Sequence, residues 1–270
     1  MKHFFSLLFV CVIALGYCQD FSVTFSSGKT LYFNITSKNT VAIAEGKQVV
    51  SLDYFGDPVY GYSFSGSLAI PATVTDNGVT YTVTEVDHLS RSNLTSVKIP
   101  NTVTKISRYA FSRCKELSTV TLPSALEFID NGAFYCCTKL SSINFPESLQ
   151  KIGEREEWGD GAFAGSGLKS IIIPGNVKDV GWNTFRNCIY LTDAEMKEGV
   201  SAMGSTTFEG CHRLRTVKLP KSLIPYHTSE SVIIKFYDCP SLEKIIVPVG
   251  TKAAFEKIIE SKHRDKIVEE

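Results

Sequence analysis

One unit recurs along this chain from Leu94 onward: LTSVKIPNTVTKISRYAFSRCKE is followed 23 residues later by LSTVTLPSALEFIDNGAFYCCTK, and the pattern continues to residue 248. Such a period means a solenoid, in which each repeat is one supersecondary unit that buries its apolar face only by stacking on its neighbours. Aligned on the leading leucine, the rungs begin at Leu94, Leu117, Leu140, Leu168, Leu191, Leu214 and Leu242, with a degenerate one at Leu68; the step of 23 stretches to 28 twice and 26 once. The template is L-x-x-(V/I)-x-(I/L)-P, then two aliphatics, a Phe, and usually a Cys three residues later.

Within a rung, Val97 and Ile99 alternate with Ser96 and Lys98, which predicts a short strand with one face inward and one outward. Stacked rungs then form a parallel sheet at about 4.8 Å spacing. Seven prolines (Pro71, Pro100, Pro123, Pro146, Pro174, Pro220, Pro248) close this strand, where a fixed φ and a missing N–H stop the pairing. Lys197 stands in the proline position of the Leu191 rung. On the return leg, Phe111, Phe134, Phe163, Phe185, Phe208 and Phe236 stack inward, each ring removing roughly 150–250 Å² from water.

The outward neighbours predict two columns on the sheet face and the candidate binding surface. They are Ser96, Thr119, Ser142, Ser170, Asp193, Thr216 and Lys244, beside Lys98, Thr121, Asn144, Ile172, Glu195, Lys218 and Ile246. Ile172 and Ile246 are apolar where water is expected, and the Asp193/Glu195 rung gives local charge contrast of the kind a partner reads.

The ends read differently. Residues 1–18 resemble an export signal, with Lys2 and His3 before an apolar stretch from Phe4 to Leu15 and a mature start at Gln19 in preference to Tyr17. Cys18 admits acylation as an alternative that would anchor the protein, although the bulky Tyr17 is a poor residue before a lipidated cysteine. No later segment has 18 consecutive apolar residues, so no transmembrane span is expected after cleavage. Residues 19–67 lack the template but alternate like strands, predicting a β-rich N-terminal cap that covers the open solenoid end. Residues 68–250 form the solenoid of seven to eight rungs, with Asn77-Gly78 turning a hairpin. Residues 251–270 predict a C-terminal capping helix with Thr251 at its N-cap.

Chemistry-bearing constellations are sparse. Lys plus Arg and Asp plus Glu balance at 28 each, which gives no general pull toward nucleic acid. Cys114, Cys137, Cys188, Cys211 and Cys239 share one rung position, and Ser166 replaces them in the rung before Cys188, so the position selects for size and burial; buried free thiols are the simpler reading beside bridges. No pair of ligands at zinc spacing appears, and no metal or cofactor is expected. Gly61-Tyr62-Ser63-Phe64-Ser65 lacks the second glycine of a nucleophile elbow, and Gly159-Asp160-Gly161 has the wrong spacing for a dinucleotide loop. His88, His212, His227 and His263 are scattered and read as surface or rung-turn residues. Glu154-Arg155-Glu156-Glu157, ending near Trp158, reads as a solvated five-residue insertion.

The template LTSVKIPNTVTKISRYAFSRC, with its I-P step and A-F-x-x-C signature, resembles the BspA-type leucine-rich repeats of bacterial surface proteins, over residues 68–250. The resemblance implies a leucine-rich repeat solenoid: a parallel β-sheet of short strands with irregular or short helical return legs. It also implies an exported or cell-surface adhesion module that binds a protein or glycan, such as a host extracellular matrix or cell-surface molecule, without catalysis. A structural envelope component without a discrete ligand and a surface hydrolase are the alternatives.

Overall fold

The computed structural model describes residues 21–26, 28–43, 48–52, 58–61, 64–155, 159–224 and 233–270. Residues 1–18, for which an export signal is expected, and Gln19, Tyr62, Ser63, Trp158 and His227 lie outside them.

The solenoid is built from three rung-to-rung ladders. The first is the predicted strand face: β6 (Ser65–Ala69), β9 (Asn93–Lys98) and β11 (Thr119–Thr121), and then β14 (Ser170–Ile173), β16 (Asp193–Met196), β18 (Thr216–Lys218) and β19 (Lys244–Val247), all parallel. The second lies on the return leg, where two-residue strands stack in parallel: β10 (Lys105–Ile106), β12 (Phe128–Ile129), β13 (Lys151–Ile152), β15 (Asp179–Val180) and β17 (Ala202–Met203). Elsewhere the return legs are irregular, apart from a 3-10 turn at Lys221–Leu223.

The third ladder runs along the A-F-x-x-C corner. The Phe111 N–H donates to the Ala133 carbonyl (2.8 Å), Phe134 to Ala162 (2.7 Å) and Phe163 to Thr184 (2.8 Å), always one rung onward. Two residues after each Phe the backbone turns left-handed, at Arg113, Cys136, Gly165, Asn187, Gly210 and Asp238, with φ from 52° to 72°. Leu89-Ser90-Arg91-Ser92 forms an additional corner upstream, with Arg91 at φ 58°. Its Leu89 takes the Phe place and its Ser92 the Cys place.

The core is a file of rings. Successive Phe111, Phe134, Phe163, Phe185, Phe208 and Phe236 centroids lie 5.1–6.3 Å apart, within 15° of parallel, and all six are buried. At the far end His263 caps the file edge-on to Phe236 at 5.7 Å. It is buried rather than a surface residue, and burial lowers its pKa.

At six of the seven prolines, from Pro100 onward, the N–H three residues on donates back to the proline carbonyl, as Val103 does to Pro100 (3.1 Å); after Pro71 the chain instead enters β7. Lys197 keeps this turn through Val200, and its own N–H bonds Ile173 O at 2.9 Å, a ladder bond that proline could not make.

At the N-terminus, β1 (Phe21–Thr24), β2 (Thr30–Ser37) and β3 (Thr40–Ile43) run antiparallel, and β3 joins β8 (Val79–Val86) in parallel. β8 pairs with β10, so these strands extend the return-leg sheet and cover its first edge. β7 (Thr73–Asp76) turns into β8 through Asn77 and Gly78, at φ 47° and 79°, as the Asn-Gly signal predicts. β4 (Gln48–Leu52) and β5 (Pro58–Gly61) form a separate antiparallel pair.

At the C-terminus α1 (Lys252–Ile258) forms, but the chain closes on β20 (Ile267–Glu269), which adds to β19. The Thr251 hydroxyl does not cap the helix; it donates to Pro248 O at 2.5 Å. The Glu269 carboxylate accepts from the Lys252 N–H at 2.8 Å instead, placing an anion at the positive helix end.

Candidate binding surface

The outward columns form, but in two blocks. Ser96 faces Thr119 and Lys98 faces Thr121 across β9 and β11. Beyond the gap, Ser170, Asp193, Thr216 and Lys244 align, as do Ile172, Glu195, Lys218 and Ile246. Ser142 and Asn144 belong to neither block, because residues 141–146 form no strand. The continuous columns expected from the repeat are therefore interrupted at the Leu140 rung: β11 ends a three-stranded sheet and β14 begins a five-stranded one.

Two local departures explain the interruption. Phe145 occupies the inward position that holds Ile99, Leu122, Ile173, Met196, Leu219 or Val247 in other rungs, and the larger ring stays half-buried, edge-on to Phe163 at 5.6 Å. The following corner is also one residue short: Phe163 precedes Leu168 by five residues, whereas Phe134 precedes Leu140 by six. Gly167 makes the shortcut possible, since a Cβ there would sit 2.2 Å from the Thr138 carbonyl oxygen. One backbone bond, Lys169 N–H to Ser141 O at 3.1 Å, holds the rungs together at the strand start. Beyond it they part around a crevice of about 280 Å³ between Asn144, Phe145 and Glu147 on one side and Ile172, Pro174 and Lys197 on the other.

Along the face, Ile172 is 57% exposed, whereas Ile246 is half-buried. Glu195 is engaged from two rungs: Lys197 Nζ lies 2.9 Å and Lys218 Nζ 3.6 Å from its carboxylate. The hydrogen bond from Lys197, then its charge and that of Lys218, outweigh the effect of burial and hold the Glu195 carboxyl below its ordinary pKa. Asp193 stays exposed and accepts from the Thr192 hydroxyl at 2.7 Å.

The inserted segment is anchored at its start: Glu154 pairs with Lys151 and Arg155 with Asp179 at 2.8 Å. It also lies differently from the simple lengthening expected. Ile129 precedes Phe134 by five residues but Ile152 precedes Phe163 by eleven, so six residues enter before the ring and one is lost after it. Gly159-Asp160-Gly161 forms part of this segment; a Cβ on Gly161 would meet Asn183 O at 1.8 Å, so that glycine serves packing. His88 pairs with Asp87 (3.3 Å) and His212 with Asp238 (2.6 Å).

The cysteines at the repeat position are free and buried. Each thiol donates to the carbonyl of the Phe one rung back: Cys137 to Phe111 (3.1 Å), Cys188 to Phe163 (3.2 Å), Cys211 to Phe185 (3.1 Å) and Cys239 to Phe208 (3.1 Å). Cys114 donates to Leu89 (3.2 Å). Burial pushes the Cys188 and Cys239 thiols up to about 11, which keeps them protonated and unreactive at neutral pH. Among the described residues no group of three or more metal-ligating side chains converges, and no helix is long and apolar enough to cross a membrane.

Three stacked ladders, a ring file and a corner cysteine define a leucine-rich repeat solenoid. The model of the BspA type leucine rich repeat region matches residues 84–156 and 156–262, in six copies, and the chain belongs to that family. Among solved structures, a leucine-rich repeat protein from Bacteroides ovatus is 25% identical with a TM-score of 0.59; the match covers 80% of this chain and 53% of that one. A T. pallidum leucine rich repeat protein is 24% identical with a TM-score of 0.57, covering 85% of this chain and 95% of its own. This chain thus spans about half the length of the Bacteroides protein. No curated protein matches it.

Proposed function

We propose that this chain is an exported, non-catalytic binding module that holds a protein or glycan partner outside the cytoplasm through its outward strand face. The observation that carries this reading is the second block of that face. There, Asp193, Glu195, Thr216 and Lys218 align in register beside the exposed Ile172 and the crevice at the interruption. A flat, rigid sheet with apolar and charged positions side by side offers a partner both area and charge pattern. Membership of the BspA-type family supports a repeat protein that works by contact.

Proximity labelling on intact cells reads location and neighbours together. Against an immobilised preparation of host matrix protein or glycan, Asp193→Lys with Glu195→Lys is expected to weaken binding at least tenfold; because lysine at 195 would face Lys197 and Lys218, the melting temperature drops by about a few degrees while the protein stays folded. Unchanged affinity in that double variant, with loss on deleting Glu154 to Trp158, would move the contact to the inserted segment.

A further inference from the structure

The A-F-x-x-C corner carries a second concave site, away from the strand face. A polar crevice of about 240 Å³ opens across three successive corners. Its floor is made where the rungs put small residues, Ser90 and Ser112, and its walls where they put Arg91, Arg113, Tyr109 and Tyr135. Arg91 and Arg113 occupy the same left-handed position in neighbouring rungs, at φ 58° and 59°. Each is pinned through its backbone: the Arg91 N–H donates to Ser112 O (2.8 Å) and the Arg113 N–H to Tyr135 O (2.6 Å). Their guanidinium stems therefore start about one rung, roughly 4.8 Å, apart, a spacing that lets both heads converge on one anionic group.

The aromatic wall is equally fixed. The Tyr109 ring lies on Gly132, where a Cβ would come within 2.2 Å of it. Arg108 sits over Tyr109 at 5.6 Å and Arg113 over Tyr135 at 5.7 Å. The last wall residue, Asp160, comes from the inserted segment, and burial raises its pKa against the pull of Arg113, Arg186 and Arg108.

We propose that this crevice binds an acidic saccharide, one ring of a glycan chain bearing a carboxylate or a sulfate ester. The guanidiniums of Arg91 and Arg113 take the anion. The hydroxyls of Ser90, Ser112, Tyr109 and Tyr135 meet a ligand dense in hydroxyls, and Asp160 accepts from a ring hydroxyl. That acid decides between ligand classes: a carboxylate in the wall opposes a phosphopeptide dianion but suits a ligand that brings donors along with one negative group. The volume is below the roughly 300–1,000 Å³ of sites that enclose a whole small molecule, so it accommodates one unit while the chain runs on across the corner. The site is distinct from the strand face and stands or falls separately.

Calorimetric titration of the full mature chain at low salt, with oligogalacturonate, sulfated dextran oligosaccharide, neutral dextran oligosaccharide and a phosphotyrosine peptide, tests it. At least one of the two acidic saccharides binds saturably and dextran does not; which one binds identifies the anionic group. Arg91→Gln with Arg113→Gln lowers that affinity at least tenfold, whereas Lys139→Gln with Arg215→Gln, which removes the same two positive charges from exposed positions elsewhere, changes it less than about threefold. Asp160→Asn, which removes a partly buried acid and so keeps the fold, weakens saccharide binding about three- to tenfold. Tighter binding in Asp160→Asn, tighter binding of the phosphopeptide than of both acidic saccharides, no effect of the arginine pair in folded protein, or no binding of either acidic saccharide each overturns the proposal.

Discussion

Past five of the six rings a thiol three residues on gives a second donor to a carbonyl of the rung before, and fills the space beside it. Cys188→Ala therefore loses two weak sulfur hydrogen bonds, to Phe163 O and with the Ser166 hydroxyl, and a small volume, an expected cost of about 1–2 kcal/mol in denaturant unfolding. Mass spectrometry under non-reducing conditions is expected to find no Cys188–Cys211 bridge, and such a bridge in most molecules would refute the packing role. Size and burial at this position were legible, because Ser166 shows that the slot tolerates a second small residue. The acceptor was not, since it belongs to the previous rung and no spacing within one rung points to it. Asp87 is a second residue-scale case. Burial, reinforced by the charges of Glu85 and Asp130, raises its pKa from 3.8 to about 7. A raised folded-state value means stability is full below about pH 4 and is lost as pH climbs through 7. Asp87→Asn keeps an acceptor for the His88 N–H that Asp87 now holds at 2.7 Å. The variant should match the parent at pH 3.5 and exceed it by a few kcal/mol at pH 8; equal pH dependence of the two proteins would refute this.

Elements follow the repeat wherever the repeat is regular, so strand positions, the proline turns and the Phe file were readable from period alone. The two-residue return strands were not, because a strand that short shows no alternation. The first corner at Leu89 to Ser92 was hidden for a different reason: the hairpin through Asn77 lengthens its rung and substitutes both signature residues. The interrupted sheet was written in the chain as Phe145 and the shortened corner, but each departure is small and only their coincidence between the same two rungs parts the strands. Phe145→Leu restores the common aliphatic size and should draw residues 142–146 toward β14. Hydrogen exchange is the check: the amides of Ile172 and its neighbours should become more protected. Unaltered exchange would place the cause in the missing residue before Leu168.

At the scale of the whole molecule, the return-leg sheet runs unbroken from β8 to β17 while the strand face is cut once, between β11 and β14. A solenoid is a sum of rung stabilities and nearest-neighbour couplings, and here one coupling has lost most of its hydrogen bonds on one side. Under load this makes a notch in a beam. Tension applied between the two ends concentrates at the Leu140 rung, where the return-leg ladder acts as a living hinge and the cut face gapes first. Single-molecule pulling should therefore give two unfolding steps, with their boundary between residues 140 and 168; one cooperative rupture would show that the core rings, not the sheet face, bear the force. A solenoid that yields in two stages dissipates a sudden tug and keeps half its length folded after the first rupture.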